Sequence, residues 1–143
     1  MGCFICWTKK RADSLLMNEP FLLFVYGQLR PGGSGFRALG LETRAHNLGP
    51  ERIAGWLYHL GDYPGLVTGS QGVVHGELLS FTDPALIDEI DAYELYDPGH
   101  PGRSEYLRIE VDLLDSGRRA WTYEYNRPVK DKPVIATGNW LAS

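Results

Sequence analysis

Phe21-Leu22-Leu23-Phe24-Val25-Tyr26, followed by Gly27-Gln28-Leu29-Arg30-Pro31-Gly32-Gly33-Ser34-Gly35, is the stretch on which the fold turns. Six apolar residues in succession, with no alternation, predict a strand covered on both faces. The glycine-rich continuation reads as a loop. A strand buried on both sides needs partners at its edges and layers above and below it. Residues 53–60 (IAGWLYHL) and 72–81 (GVVHGELLSF) read as strands, with a turn at Tyr63-Pro64-Gly65 between them. Residues 104–114 alternate, with Tyr106, Arg108, Glu110 and Asp112 on one parity and Leu107, Ile109, Val111 and Leu113 on the other. That pattern predicts a half-buried strand. Asp115-Ser116-Gly117 turns it into residues 119–126, its hairpin partner. Residues 36–46 suit a short helix. The expected class is α+β: a small mixed, antiparallel-rich β-barrel flanked by a few helices.

Composition sets the outer limits. A chain of 143 residues fits one domain with a core of its own. Residues 1–20 read as an N-terminal extension and 21–143 as the single domain. At 43% apolar and 12% aromatic the chain is too rich in core formers to be disordered. Its cysteines, Cys3 and Cys6, both fall in the extension, so no disulfide framework is expected and a CxxC zinc site lacks its second pair. Met1-Gly2-Cys3 resembles the start of an acylated anchor, but that signal wants Ser or Thr where Cys6 stands. No apolar run approaches a membrane span. A formal charge of −4 argues against duplex nucleic-acid binding. A soluble cytoplasmic protein, with no nucleic-acid or membrane partner, is the expectation.

The clearest helix covers residues 82–96 (TDPALIDEIDAYELY), with Thr82 or Asp83 as cap and Pro98-Gly99 beyond its end. On a wheel of about 100° per residue, Leu86, Ile87, Ile90 and Tyr93 form one arc, while Asp88, Glu89 and Asp91 fall outside it or at its edge. Glu94 lies between the directions of Ile87 and Ile90, so the helix aims a carboxylate at the core. Desolvation raises the pKa of such a group and makes it a candidate general acid/base. Two structural outcomes compete with that reading: the side chain bends out at a frayed helix end, or an Arg or Tyr satisfies it. The Tyr26–Arg30 segment is a second candidate. Gly27 lets a ligand approach the backbone, and the N–H groups of Gln28 and Leu29 suit a carboxylate; an ordinary strand-ending turn fits the same residues.

Several pieces then recur in a fixed order: Val25-Tyr26-Gly27-Gln28-Leu29-Arg30, Tyr63-Pro64-Gly65, Val74-His75-Gly76-Glu77-Leu78, Asp91-Ala92-Tyr93-Glu94, Tyr106-Leu107-Arg108 and Tyr123-Glu124-Tyr125. In this order the chain resembles the γ-glutamylcyclotransferase-like superfamily, in particular the branch of γ-glutamylamine cyclotransferase and the plant avirulence-induced proteins. The resemblance implies a cavity at one end of the barrel. It also implies a cofactor-free enzyme that releases 5-oxoproline and an amine from a γ-glutamyl amine or peptide, with no metal. Its catalytic carboxylate falls on Glu94 and its substrate loop on Tyr26, Gly27, Gln28 and Leu29. Arg30, Tyr106 and Tyr123 complete the candidate binding set, with Arg108 and Tyr125 as further candidate cavity walls. Two positions depart from the family pattern: Gln28 stands where relatives carry small hydroxyl residues, and Leu95 stands where they carry Gly. Those departures motivate the alternative of a non-catalytic ligand-binding module on the same fold.

Overall fold

The computed structural model describes residues 19–142. The readings made for Met1-Gly2-Cys3 and for the Cys3/Cys6 pair lie outside the described residues. The elements, in order, are β1 (Phe21–Val25), α1 (Ser34–Ala38), α2 (Leu41–Arg44), β2 (His46–His59), β3 (Pro64–Phe81), α3 (Pro84–Tyr93), β4 (Tyr106–Asp112) and β5 (Arg119–Tyr125). The strands form one five-stranded sheet in the order β2-β3-β1-β5-β4. β1 runs antiparallel to β3, with Leu23 opposite Leu79, and parallel to β5, with Leu23 opposite Trp121. β1 is therefore the central strand, and its unbroken apolar run serves two cores. Leu23 and Val25 pack with Leu86, Ile87 and Ile90 of α3, while Phe24 and Tyr26 pack on the other face with Ile53, Leu57, Leu66 and Val74.

The expectation of a closed barrel is corrected. The end strands β2 and β4 form no ladder with each other. The β4–β5 turn is hydrogen-bonded to β2: Leu114 N–H donates to the Arg52 carbonyl at 2.9 Å, and the buried Glu51 carboxylate accepts from the N–H groups of Asp115 and Ser116. The sheet curls enough to enclose the second core and stops short of closure. Part of the free edge of β2 is covered by the C-terminal segment, where Ile135 N–H donates to Leu57 O and His59 N–H to Pro133 O.

Three smaller expectations shift. Residues 36–46 split into α1 and α2 at Gly40, which adopts a left-handed φ of 65°. Pro64 and Gly65 belong to β3, and the turn itself is closed by Leu60 N–H to Tyr63 O. β2 and β3 are longer than the sequence suggests, at 14 and 18 residues, because register shifts at 47/49 and 54/55 let them bend and go on pairing.

Candidate active site

A cavity of about 320 Å³ opens where β1 ends, small but within the range of ligand pockets. Its walls come from the Tyr26–Leu29 loop, Tyr63 and Pro64 of the β2–β3 turn, Tyr93 to Leu95 at the end of α3, and Glu105, Tyr106 and Tyr123 from the β4–β5 side. Of the sequence-derived candidates, Tyr26, Gly27, Gln28, Leu29, Glu94, Tyr106 and Tyr123 all line this one space.

Arg30, by contrast, is turned elsewhere. It is buried in a bidentate pair with Glu77, at 2.7 and 2.9 Å, and donates to Asn139 Oδ1 at 2.7 Å. This pairing joins the loop to β3 and the C-terminal segment, and Arg30 does not line the cavity. Arg108 and Tyr125, the further candidate walls, are also outside the lining of this cavity, and Arg108 pairs with Asp91 at 2.9 Å.

Asp83 caps α3 by accepting from Ala85 N–H, with Pro84 in the first turn. The other end of the helix determines where Glu94 sits. Tyr96 N–H reaches back to the Asp91 carbonyl and Leu95 N–H to the Ala92 carbonyl. These are the paired bonds of a Schellman terminus, in which Glu94 is the C-cap and the next residue must be left-handed. Leu95 takes that conformation, with φ 55°, the one positive-φ residue other than glycine among those described. A glycine would take this conformation freely, and this chain meets the requirement with a strained leucine.

No hydrogen bond or ion pair among the described residues reaches the Glu94 carboxyl. The other carboxylate of the cavity, Glu105, accepts from the Tyr63 hydroxyl at 2.7 Å. Burial, followed by the negative charges of Glu105 and Asp91, pushes the Glu94 carboxyl up to about 8. It can therefore both hold and release a proton near neutral pH.

The tyrosine walls are committed to internal acceptors. Tyr26 donates to the Tyr123 carbonyl at 2.7 Å, Tyr106 to the Pro64 carbonyl at 2.8 Å, and Tyr123 to Asp91 at 2.6 Å. Burial, the largest cause in each case, raises the pKa of all three, so they stay protonated. They give the cavity its shape.

In the loop after β1, Arg30 N–H closes a turn onto the Gly27 carbonyl, while the Gln28 carbonyl accepts from Gly35 and Phe36. The N–H groups of Gln28 and Leu29 have no acceptor among the described residues. Two adjacent free amides suit an anion. The Gln28 side chain donates to the Asp62 carbonyl at 2.8 Å, so it ties the loop to the β2–β3 turn. Gly27 is required by space: a Cβ there would lie 2.8 Å from Cγ of Pro64.

Sequence reasoning left Asp91 at the edge of the helix face, yet it is buried. It holds Arg108 and Tyr123 and raises Glu94 from one turn away. The signal for it was the same-face Arg108 on β4, which needed a buried partner of opposite charge. Among the described residues no three His, Cys, Asp or Glu side chains gather into a metal-sized cluster. No helix among them is long and apolar enough to cross a membrane.

Fold and site together define a class: a small α+β domain whose cavity, at the end of its central strand, is lined both by a carboxyl with no partner among the described residues and by a loop whose Gln28 and Leu29 N–H groups have none there either. The chain belongs to the gamma-glutamyl cyclotransferase, AIG2-like family, whose model matches residues 23–142. It is 38% identical over 122 residues to the gamma-glutamylcyclotransferase family protein YtfP of Escherichia coli K12, covering 83% of this chain and 95% of that one. A similar match, 38% over 120 residues, is found to ytfP of Citrobacter rodentium, covering 83% of this chain and 94% of that one. The solution structure of E. coli ytfP superposes with a TM-score of 0.61 at 38% identity, over 85% of this chain and 96% of that chain. An AIG2-like protein from Mus musculus shares the fold at a TM-score of 0.62 and 18% identity, over 77% of this chain and 80% of that one.

Proposed function

We propose that this protein is a γ-glutamyl cyclotransferase that releases 5-oxoproline and an amine from a γ-glutamyl amine or peptide, with Glu94 as general acid/base and no cofactor. The observation that carries the reading is the Glu94 carboxyl, raised to about 8 and with no partner among the described residues, in a cavity also lined by Gln28 and Leu29, whose N–H groups have no acceptor among them. The loop amides hold the substrate's α-carboxylate, which places the neighbouring α-amine toward Glu94. An ammonium cannot attack, so ionised Glu94 first takes a proton from it. The freed amine attacks the γ-carbonyl carbon, and the new C–N bond closes the five-membered lactam. Glu94 returns its proton to the departing nitrogen as the old C–N bond breaks. The second proton shed by the attacking nitrogen balances the one that converts the released amine to its ammonium form. Because the attack is intramolecular, holding the chain in a folded geometry supplies much of the rate, and the tyrosine walls perform that service.

The departures at Gln28 and Leu95 favour one rival, a binding module that keeps the cavity without turnover. A panel of γ-glutamyl amines, amino acids and peptides, assayed for 5-oxoproline with the wild-type chain, separates the two. Turnover of at least one compound is expected. Binding across the panel without 5-oxoproline would exclude the enzyme reading.

A further inference from the structure

Beside the cavity lies a wider groove of about 590 Å³ that shares Leu95 and Glu105 with it. The other charged residues lining this groove are Arg103, Arg127, Lys130, Lys132 and Asp131. Four cations thus face two carboxylates, on a chain whose overall formal charge is −4. None of these cations takes part in any ion pair among the described residues. Asp97 lies near enough to Arg103 to feel its charge, but its carboxylate is bound to His100 and the Gly99 N–H. Arg127 is fixed in place by backbone carbonyls, donating to Ser104 O at 2.5 Å and Arg103 O at 3.2 Å, so its charge stands without a carboxylate partner.

The two spaces divide a γ-glutamyl compound naturally. The reacting glutamyl half needs the small cavity with the carboxyl and the loop amides. Leu95 and Glu105, which line both spaces, mark where a departing half would pass from one to the other. Leu95 is 62% exposed and projects where the two spaces meet, while Glu105 is held by Tyr63 at 2.7 Å.

We propose that the groove is a subsite for the departing half of the substrate, and that it selects a leaving amine whose far end is a carboxylate, an amino acid or short peptide in preference to an alkylamine. This rests on the cyclotransferase reading above. The cations of Arg103, Arg127, Lys130 and Lys132 outnumber Glu105 and Asp131, so an anionic tail is drawn in and a cationic one is not. Lys130 and Lys132 are exposed and are the cations most easily removed without disturbing the fold.

The test uses a matched pair, γ-glutamyl-alanyl-glycine and its C-terminal amide, which differ only in that carboxylate. Titration calorimetry on the Glu94→Gln protein reads binding without turnover. The peptide should bind about tenfold more tightly than its amide, in keeping with several partly screened charge contacts. Adding Lys130→Gln and Lys132→Gln should cut that preference to about twofold, and 0.5 M salt should do the same to the Glu94→Gln protein. Equal binding of the two probes, a preference that survives loss of both lysines, or binding of neither probe would overturn the proposal. Release of 5-oxoproline from both probes by the wild-type chain tests the reaction separately. Turnover without a carboxylate preference overturns the subsite alone, and a preference in binding without turnover overturns the reaction alone.

Discussion

Glu94→Gln should inactivate the protein and stabilise it, and the second effect can be worked from the structure. The carboxyl titrates near 8 in the folded chain, against 4.5 for an unperturbed glutamate. Between those values the unfolded chain has lost the proton and the folded chain still holds it. The folded state therefore binds more protons, and wild-type stability must fall as pH rises through that window. The full shift corresponds to about 5 kcal/mol. Because the residue is only partly buried, about 1–3 kcal/mol is the expected share. Glutamine resembles the protonated acid, so the two proteins should be equally stable near pH 4.5, with the variant ahead by that amount at pH 8.5. Urea denaturation of both proteins at several pH values measures the difference. Every other side chain is common to both proteins, so its contribution cancels in the difference. A difference that stays flat with pH, or a variant that is weaker at pH 8.5, would refute the claim that this carboxyl is desolvated with no partner among the described residues.

Other expectations follow from the same geometry. The pH dependence of activity should show a rising limb near 8, set by ionisation of Glu94 as the base in the free enzyme, and kcat/KM across pH 6–9.5 checks it. Asp91→Ala removes the acceptor of Arg108 and Tyr123 and should cost about 3 kcal/mol by thermal or urea unfolding, while moving the activity limb to lower pH because a negative neighbour of Glu94 is gone. Leu95→Gly should stabilise by about 0.5–1 kcal/mol, since glycine accepts the left-handed φ and the leucine side chain is largely exposed. Gly27→Ala should raise KM about tenfold with a smaller effect on kcat, because the new methyl meets Pro64 and displaces the loop amides.

Much of the cavity's lining was legible in the sequence because it depends on local pattern. Periodicity alone put Glu94 on the core side of its helix, and the end of an unbroken apolar strand marked the Gln28–Leu29 amides. Arg30 was misjudged because its direction depends on Glu77 and Asn139, which are 47 and 109 residues away. Asp91 was passed over because a carboxylate at the margin of a helix face is buried only when a partner such as Arg108 faces it from another strand. Closure of the sheet was equally illegible: alternation predicts which residues pair, but the decision falls to the Glu51, Asp115 and Leu114 contacts at the seam. The meaning of Leu95 also emerged only with its φ, since nothing in the local sequence announces a left-handed leucine.

The central claim is that one unpartnered carboxyl runs the proton transfers of a cyclisation. Its most direct test is 5-oxoproline release by Glu94→Gln beside the wild-type chain, on the best substrate of the panel and at equal concentrations of folded protein. The account predicts a loss of at least about 100-fold in kcat, the usual scale of general acid/base catalysis, with the fold intact. A well-folded Glu94→Gln protein that releases 5-oxoproline at the wild-type rate would contradict it.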